Sequence, residues 1–161
     1  MGVLVLSNVL AVGQAGAHLS SAKAASGRIS ISTLQRGDTL RIEYSSSGCF
    51  SSTQAEVWIL GEDPSVARVV VWESGPVRSQ SPAEPKHRTV RLTSDDRRGL
   101  DKLLAFYRSP RSSGCTTVDH IKLTLSHKGK TKRSESFVDG SCRGHDEPGV
   151  VTLDEIVRVR T

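Results

Sequence analysis

The chain has 161 residues, with 22 Lys+Arg against 17 Asp+Glu, for a net charge of +5 at neutral pH. That length fits one compact domain and leaves too little chain for two well-buried ones. A composition of 36% hydrophobic and 24% charged residues excludes a disordered tail, and no apolar run reaches the ~18–20 residues of a bilayer span, which excludes a multi-span membrane protein. At the N-terminus, residues 2–17 carry no charge, and Val3 to Val12 have the character of a secretory signal core. Small residues at Ala15-Gly16-Ala17 and from Ser21 to Ala24 offer cleavage sites, although no basic residue precedes Lys23. Cleavage after Ala24 makes 1–24 a signal peptide and 25–161 a single mature domain. The expected address is exported, periplasmic or secreted.

Ile29, Ile31 and Thr33 alternate with polar residues, as do Leu40, Ile42 and Tyr44 beyond a break at Gln35-Arg36-Gly37-Asp38. Two period-2 runs around a Gly-containing break predict a β-hairpin. The Arg-Gly-Asp in that break is read as turn chemistry, since a turn needs Gly and Asp in any case. Thr53 to Leu60 predicts another strand, with Trp58 and Ile59 inside it, followed by a turn at Gly61-Glu62-Asp63-Pro64-Ser65. Val66 to Trp72 is β-branched and reads as a central strand buried on both faces. Residues 73–88 contain three prolines and predict an exposed loop, with a short strand from Arg88 to Thr93.

A helix is predicted over about 95–108, capped by Thr93 or Ser94, with Asp95 and Asp96 at the positive end of its dipole. Leu100, Leu103, Leu104 and Tyr107 form its apolar stripe, while Asp96, Arg97, Lys102 and Arg108 form its solvated side. Ser109-Pro110 ends it. Thr117 to Ser126 and Thr131 to Val138 then flank His127-Lys128-Gly129-Lys130 as a second hairpin, with Asp119, Ile121, Leu123 and Leu125 on one face. The segment from Thr152 to Glu155 has a capping-box pattern, compatible with a short helix, though Val157 and Val159 also allow a strand. Strands, helix and strands in blocks mean an α+β fold, a mostly antiparallel sheet of about five to seven strands covered by one main helix.

Three cysteines in an exported chain imply one disulfide and one leftover thiol. With Lys128 and Gly129 as the central turn residues, an uninterrupted ladder sets Cys115 opposite Cys142, and a bulge would spoil that register. Cys115–Cys142 is therefore the expected bridge and Cys49 the candidate free thiol. A nucleophilic Cys49 would need a histidine base from among His87, His120, His127 and His145, His18 being lost with the signal peptide. No GxSxG or SxxK motif accompanies it. Cys142, His145, Asp146 and Glu147 lack the second ligand pair of a structural zinc site, so neither a metal nor a cofactor is expected. The basic runs Lys86 to Arg91 and Lys128 to Arg133 are scattered, which disfavours nucleic acid as a partner.

Gly48-Cys49-Phe50, the helix segment Leu100-Asp101-Lys102-Leu103-Leu104-Ala105-Phe106-Tyr107-Arg108, Gly114-Cys115-Thr116-Thr117-Val118-Asp119 and Gly140-Ser141-Cys142 occur together. As a set they resemble small exported bacterial proteins of uncharacterised function. The resemblance covers roughly 40–143 and implies an exported α+β domain, with no catalytic residue to carry over.

These readings converge on a non-enzymatic binding module with a protein or cell-envelope partner. Its contact surfaces are expected at the Ser-rich Cys49 turn and the 73–88 loop, because binding residues concentrate on loops held by a rigid scaffold. Phe50 and Trp72 are the candidate aromatic anchors, each at least as compatible with a place in the core. The competing functions are a thiol-dependent enzyme using Cys49 and a weak polyanion binder.

Overall fold

A computed structural model describes residues 27–48, 52–74, 84–109, 114, 116–141 and 153–158. The elements are β1 (Asp38–Ser47), β2 (Ser52–Leu60), β3 (Asp63–Ser74), β4 (Lys86–Arg91), α1 (Ser94–Tyr107), β5 (Val118–His127), β6 (Lys130–Asp139) and α2 (Leu153–Arg158). Among the described residues the strands form one six-stranded sheet in the order β4-β3-β2-β1-β5-β6, every pair antiparallel. The architecture is α+β, as the block order of strands and helix implies. No helix among the described residues is long and apolar enough to cross a membrane.

Side-chain alternation sorts each strand between two faces. Leu40, Ile42 and Tyr44 of β1 point to the same side as Ala55, Val57 and Ile59 of β2, Ala67, Val69 and Val71 of β3, and Ile121 and Leu123 of β5. Helix α1 supplies Leu100, Leu103, Leu104 and Tyr107 to this layer, and α2 adds Leu153, Ile156 and Val157. The start of α1 is fixed by a reciprocal cap. Thr93 Oγ1 accepts from the Asp96 amide at 3.1 Å, and Asp96 Oδ2 accepts from the Thr93 amide at 2.7 Å.

The predicted first hairpin does not form. Ile31–Thr33 is a single 3₁₀ turn, and the segment around it runs as a strap beside α1 and β6. Asp101 explains the difference. Its carboxylate accepts from the Ile31 amide at 2.7 Å, the Ser32 amide at 3.1 Å and the Ser30 hydroxyl at 2.8 Å, replacing the partners a ladder would provide. Ile29 and Ile31 are both buried, so their alternation is that of two plugs rather than of a strand.

The expected solvated side of α1 also needs correction. Asp96 is buried by its capping role, and Arg108 turns inward, its Nε donating to Glu135 at 2.8 Å and its Nη2 to the Ile29 carbonyl at 2.5 Å. Glu135 Oε1 accepts the Ile29 amide at 3.3 Å. One ion pair thus grips both polar groups of a single peptide residue. Strand β3 is likewise buried on one face only, since Arg68 is exposed and Val66 and Val70 are half-buried.

Turns set the registers. Gly61 lies against the Gln35 carbonyl so closely that a Cβ would stand 1.8 Å from the oxygen, which fixes glycine at the β2–β3 turn. Asp38, the last residue of the Arg-Gly-Asp tripeptide, is occupied. Its carboxylate accepts from the Gln35 amide at 2.8 Å and lies 2.9 Å from His127 Nδ1. Lys128 and Gly129 both have positive φ, 47° and 77°, as a two-residue hairpin turn requires. His127 faces Lys130 and Ser126 faces Thr131, as expected, but a bulge between Leu125 and Ser126 then shifts the ladder by one. Beyond it Leu125 faces Arg133 and Asp119 faces Asp139. An uninterrupted register up to the cysteines therefore does not hold. The C-terminal segment takes the helical alternative, with Ile156 and Val157 facing the core.

Removing the Asp101 carboxylate strips three donors of their acceptor at once. The Asp101→Ala variant should lose about 2–3 kcal/mol of stability, read as a lowered urea midpoint. Its hydrogen exchange should quicken first at Ile31 and Ser32.

Candidate functional site on the open face of the sheet

Because both helices pack on one face, the other face is left without a covering element among the described residues. Alternation sends a defined set of side chains there. Reading across the strands, one row runs Trp72, Gln54, Ser45, His120 and Val138 from β3 to β6. The next runs His87, Val70, Glu56, Glu43, Lys122 and Ser136 from β4 to β6. A third holds Arg68, Trp58, Arg41 and Thr124. Val138 is 59% exposed, the one large hydrophobic residue among the described residues that is fully at the surface.

The electrostatics at the centre are compensated. Glu43 and Glu56 sit directly opposite each other on β1 and β2, an arrangement that is repulsive by itself. Arg41 donates to Glu56 through Nε at 3.1 Å and Nη2 at 2.6 Å, and its Nη2 lies 3.4 Å from Glu43. Lys122 Nζ stands 3.0 Å from Glu43 on the other side. The hydrogen bond to Glu56 raises the Arg41 pKa above its already high ordinary value, against the opposing effect of desolvation. The Arg41 guanidinium also lies 4.9 Å from the Trp58 ring centroid, a cation–π contact.

Beside this network the surface is hollowed by about 470 Å³, with Trp72, Gln54, Ser45, Glu43, Glu56, His120, Lys122, Ser136 and Val138 around it. Rigid strands hold every one of these side chains. The hollow can accept a ligand by stacking, hydrogen bonding and charge.

A second polar group lies at one end of the sheet, beneath α1. Asp119 and Asp139 are cross-strand neighbours and both buried. Tyr107 Oη donates to Asp119 Oδ2 at 3.0 Å, and the Ser141 amide donates to Asp139 Oδ1 at 3.2 Å. Burial, and then the Asp119 carboxylate, push the Tyr107 hydroxyl far above its usual pKa and keep it a donor. The strand ends at Ser47, Val118 and Asp139 meet here, and each cysteine falls within three positions of one of them in sequence.

Of the residues singled out from sequence, Trp72 is placed on the open face and half-buried. Cys49, Phe50, Cys115 and Cys142 lie outside the described residues, as do the signal segment 1–24, residues 75–83 of the expected loop, and His145, Asp146 and Glu147. Among the described residues, no three His, Cys, Asp or Glu side chains are grouped to hold a metal. Trp58, Arg41, Glu43, Glu56 and Lys122 were not expected at a site. The signal for them was the same alternation that buries Val57, Ile42 and Ile121 beside them. No family model, curated protein or solved structure matches this chain.

Arg41→Met removes the bridging cation and its cation–π contact with Trp58 while keeping an unbranched side chain. Glu43 and Glu56 are then left facing each other, and the variant should be destabilised by about 1 kcal/mol in low salt. Urea titrations at low and high salt check this, with the loss shrinking as salt screens the carboxylates.

Proposed function

We propose that this chain is a small exported domain that acts by binding, and that the open face of the sheet is its contact surface. The observation that carries the proposal is the one-sided packing of the helices, which leaves Trp58 and Trp72 on a rigid strand face, with Trp72 at the edge of a hollow. Trp72 is the proposed aromatic anchor on this surface, and Phe50 is the second proposed anchor, at a position outside the described residues. A protein or cell-envelope component is the proposed partner. The cations at the centre of the face, Arg41 and Lys122, are taken up by Glu43 and Glu56, which weighs against a polyanion.

Export rests on the uncharged segment 2–17 and the small residues that follow it, and cleavage after Ala24 leaves the described strap contacts of Gly27 to Leu34 in place. The bridge is proposed between Cys115 and Cys142, three residues from Val118 and Asp139 on the neighbouring strands β5 and β6. The bulge removes the register argument for it, and strand order alone would also allow Cys49, two residues beyond Ser47, to pair with Cys115. Cys49 is the proposed free thiol. No catalytic residue is assigned.

Two measurements test this reading. A photoreactive side chain placed at Gln54 should crosslink the chain to a component of the bacterial envelope, whereas one at Lys102 on α1 should not. Equal capture from both positions would remove the open face as the contact surface. Alkylation with and without reduction should find Cys115 bridged to Cys142 and Cys49 free. Three free thiols in protein taken from an oxidising compartment would overturn the bridge and reopen the metal and thiol-chemistry readings. Alkylation of native Cys49 at the rate of an activated thiolate near neutral pH would favour the thiol-enzyme alternative.

A further inference from the structure

Resting on the open face as the contact surface, we propose that the hollow beside Trp72 binds an uncharged polyhydroxylated chain, a glycan, lying across the strands. Its volume of about 470 Å³ falls in the range of ligand sites. The class of ligand follows from the charges around it. Arg41 and Lys122 are already engaged by Glu43 and Glu56, so neither is free to bind phosphate, sulfate or carboxylate groups. Arg41 and Lys122 already neutralise those two carboxylates, so the floor has no surplus charge to attract a cation. A neutral ligand is left.

The rest of the lining suits sugars. Trp72, Gln54, Ser45 and His120 stand in one cross-strand row, an indole followed by an amide, a hydroxyl and an imidazole. Neighbouring strands are about 4.8 Å apart, so polar groups recur along the row at close to the length of one pyranose unit. A sugar ring offers an apolar C–H face to the indole and hydroxyls, each both donor and acceptor, to the side chains. An extended peptide fits this face less well. It gains its affinity from main-chain pairing at a sheet edge, and the open face presents side chains only.

The test is a titration of the purified full chain with uncharged glucose-, galactose- and N-acetylglucosamine-based hexasaccharides, followed by tryptophan emission and calorimetry. At least one should bind saturably, with little dependence on salt. Trp72→Ala should weaken that binding about tenfold, equivalent to about 1.4 kcal/mol. Trp72→Tyr, which keeps an aromatic plane, should retain most of it, and Lys102→Ala on α1 should leave it unchanged. Thermal unfolding of each variant separates lost binding from lost fold. Absence of binding to all three sugars by the folded wild-type chain would overturn the glycan assignment. Preferential, steeply salt-dependent binding of heparin would overturn it too. In either case, crosslinking from Gln54 but not Lys102 to a protein would leave the contact surface standing with a different class of partner, whereas equal crosslinking would remove the surface itself.

Discussion

The antiparallel ladder between β1 and β5 joins the N-terminal meander of four strands to the C-terminal hairpin, and both layers of the molecule are placed by it. Strand β1 is paired along both edges. Its inward residues Leu40, Ile42 and Tyr44 occupy the middle of the core, while its outward residues Arg41 and Glu43 occupy the middle of the open face. A slip of one residue would exchange these two sets. The burial that specifies the fold therefore also specifies the proposed contact surface, and a change of register alters both. The charge pattern obeys the same constraint, because Lys122 reaches Glu43 only in the register that buries Ile121 and Leu123.

Two arginine–carboxylate pairs illustrate how environment changes the role of one chemistry. Arg41 and Glu56 face outward, partly exposed, and their worth is mainly to make two adjacent carboxylates tolerable on a flat face. Arg108 and Glu135 are side-chain exposed by only 11% and 13%, and there the pair needs further hydrogen bonds to offset its desolvation. The Ile29 peptide groups supply them. A segment without strand pairing thereby has its polar backbone satisfied by side chains while its isoleucines seal the edge of the core.

Much of this was legible in the chain. The stripe of Leu100, Leu103, Leu104 and Tyr107 announced α1 because a helix repeats its pattern over several turns. The β5–β6 turn announced itself through Gly129, which takes the positive φ of a two-residue turn without steric cost, whereas Lys128 adopts its own positive φ against the usual preference. What was misread depended on partners far away in sequence. Ile29 and Ile31 have the spacing of a strand, and nothing local reveals that Asp101 will satisfy their backbone. Arg108 sits on the polar side of the helix pattern, and only the position of Glu135 draws it inward. The bulge at Leu125 has no sequence mark of its own, so a register counted from the turn fails one residue later. Trp58 was visible as a strand residue, but its exposure followed only once the side bearing Val57 and Ile59 was known to be the covered one.

The strap has a consequence for how the chain reaches its native state. Ile29 is bonded to a residue 106 positions later, and Asp38 to one 89 positions later. Contacts so far apart in sequence are closed slowly, since a long loop must be ordered before they reward it. A chain emerging N-terminus first can build the meander of β1 to β4, but one edge of β1 then presents an unpaired ladder until β5 has been made. That intermediate is open to pairing with another molecule. Strand β6 arrives last, and its Glu135 completes the grip on Ile29. The first described segment to be synthesised is therefore secured only once the last strand has been made.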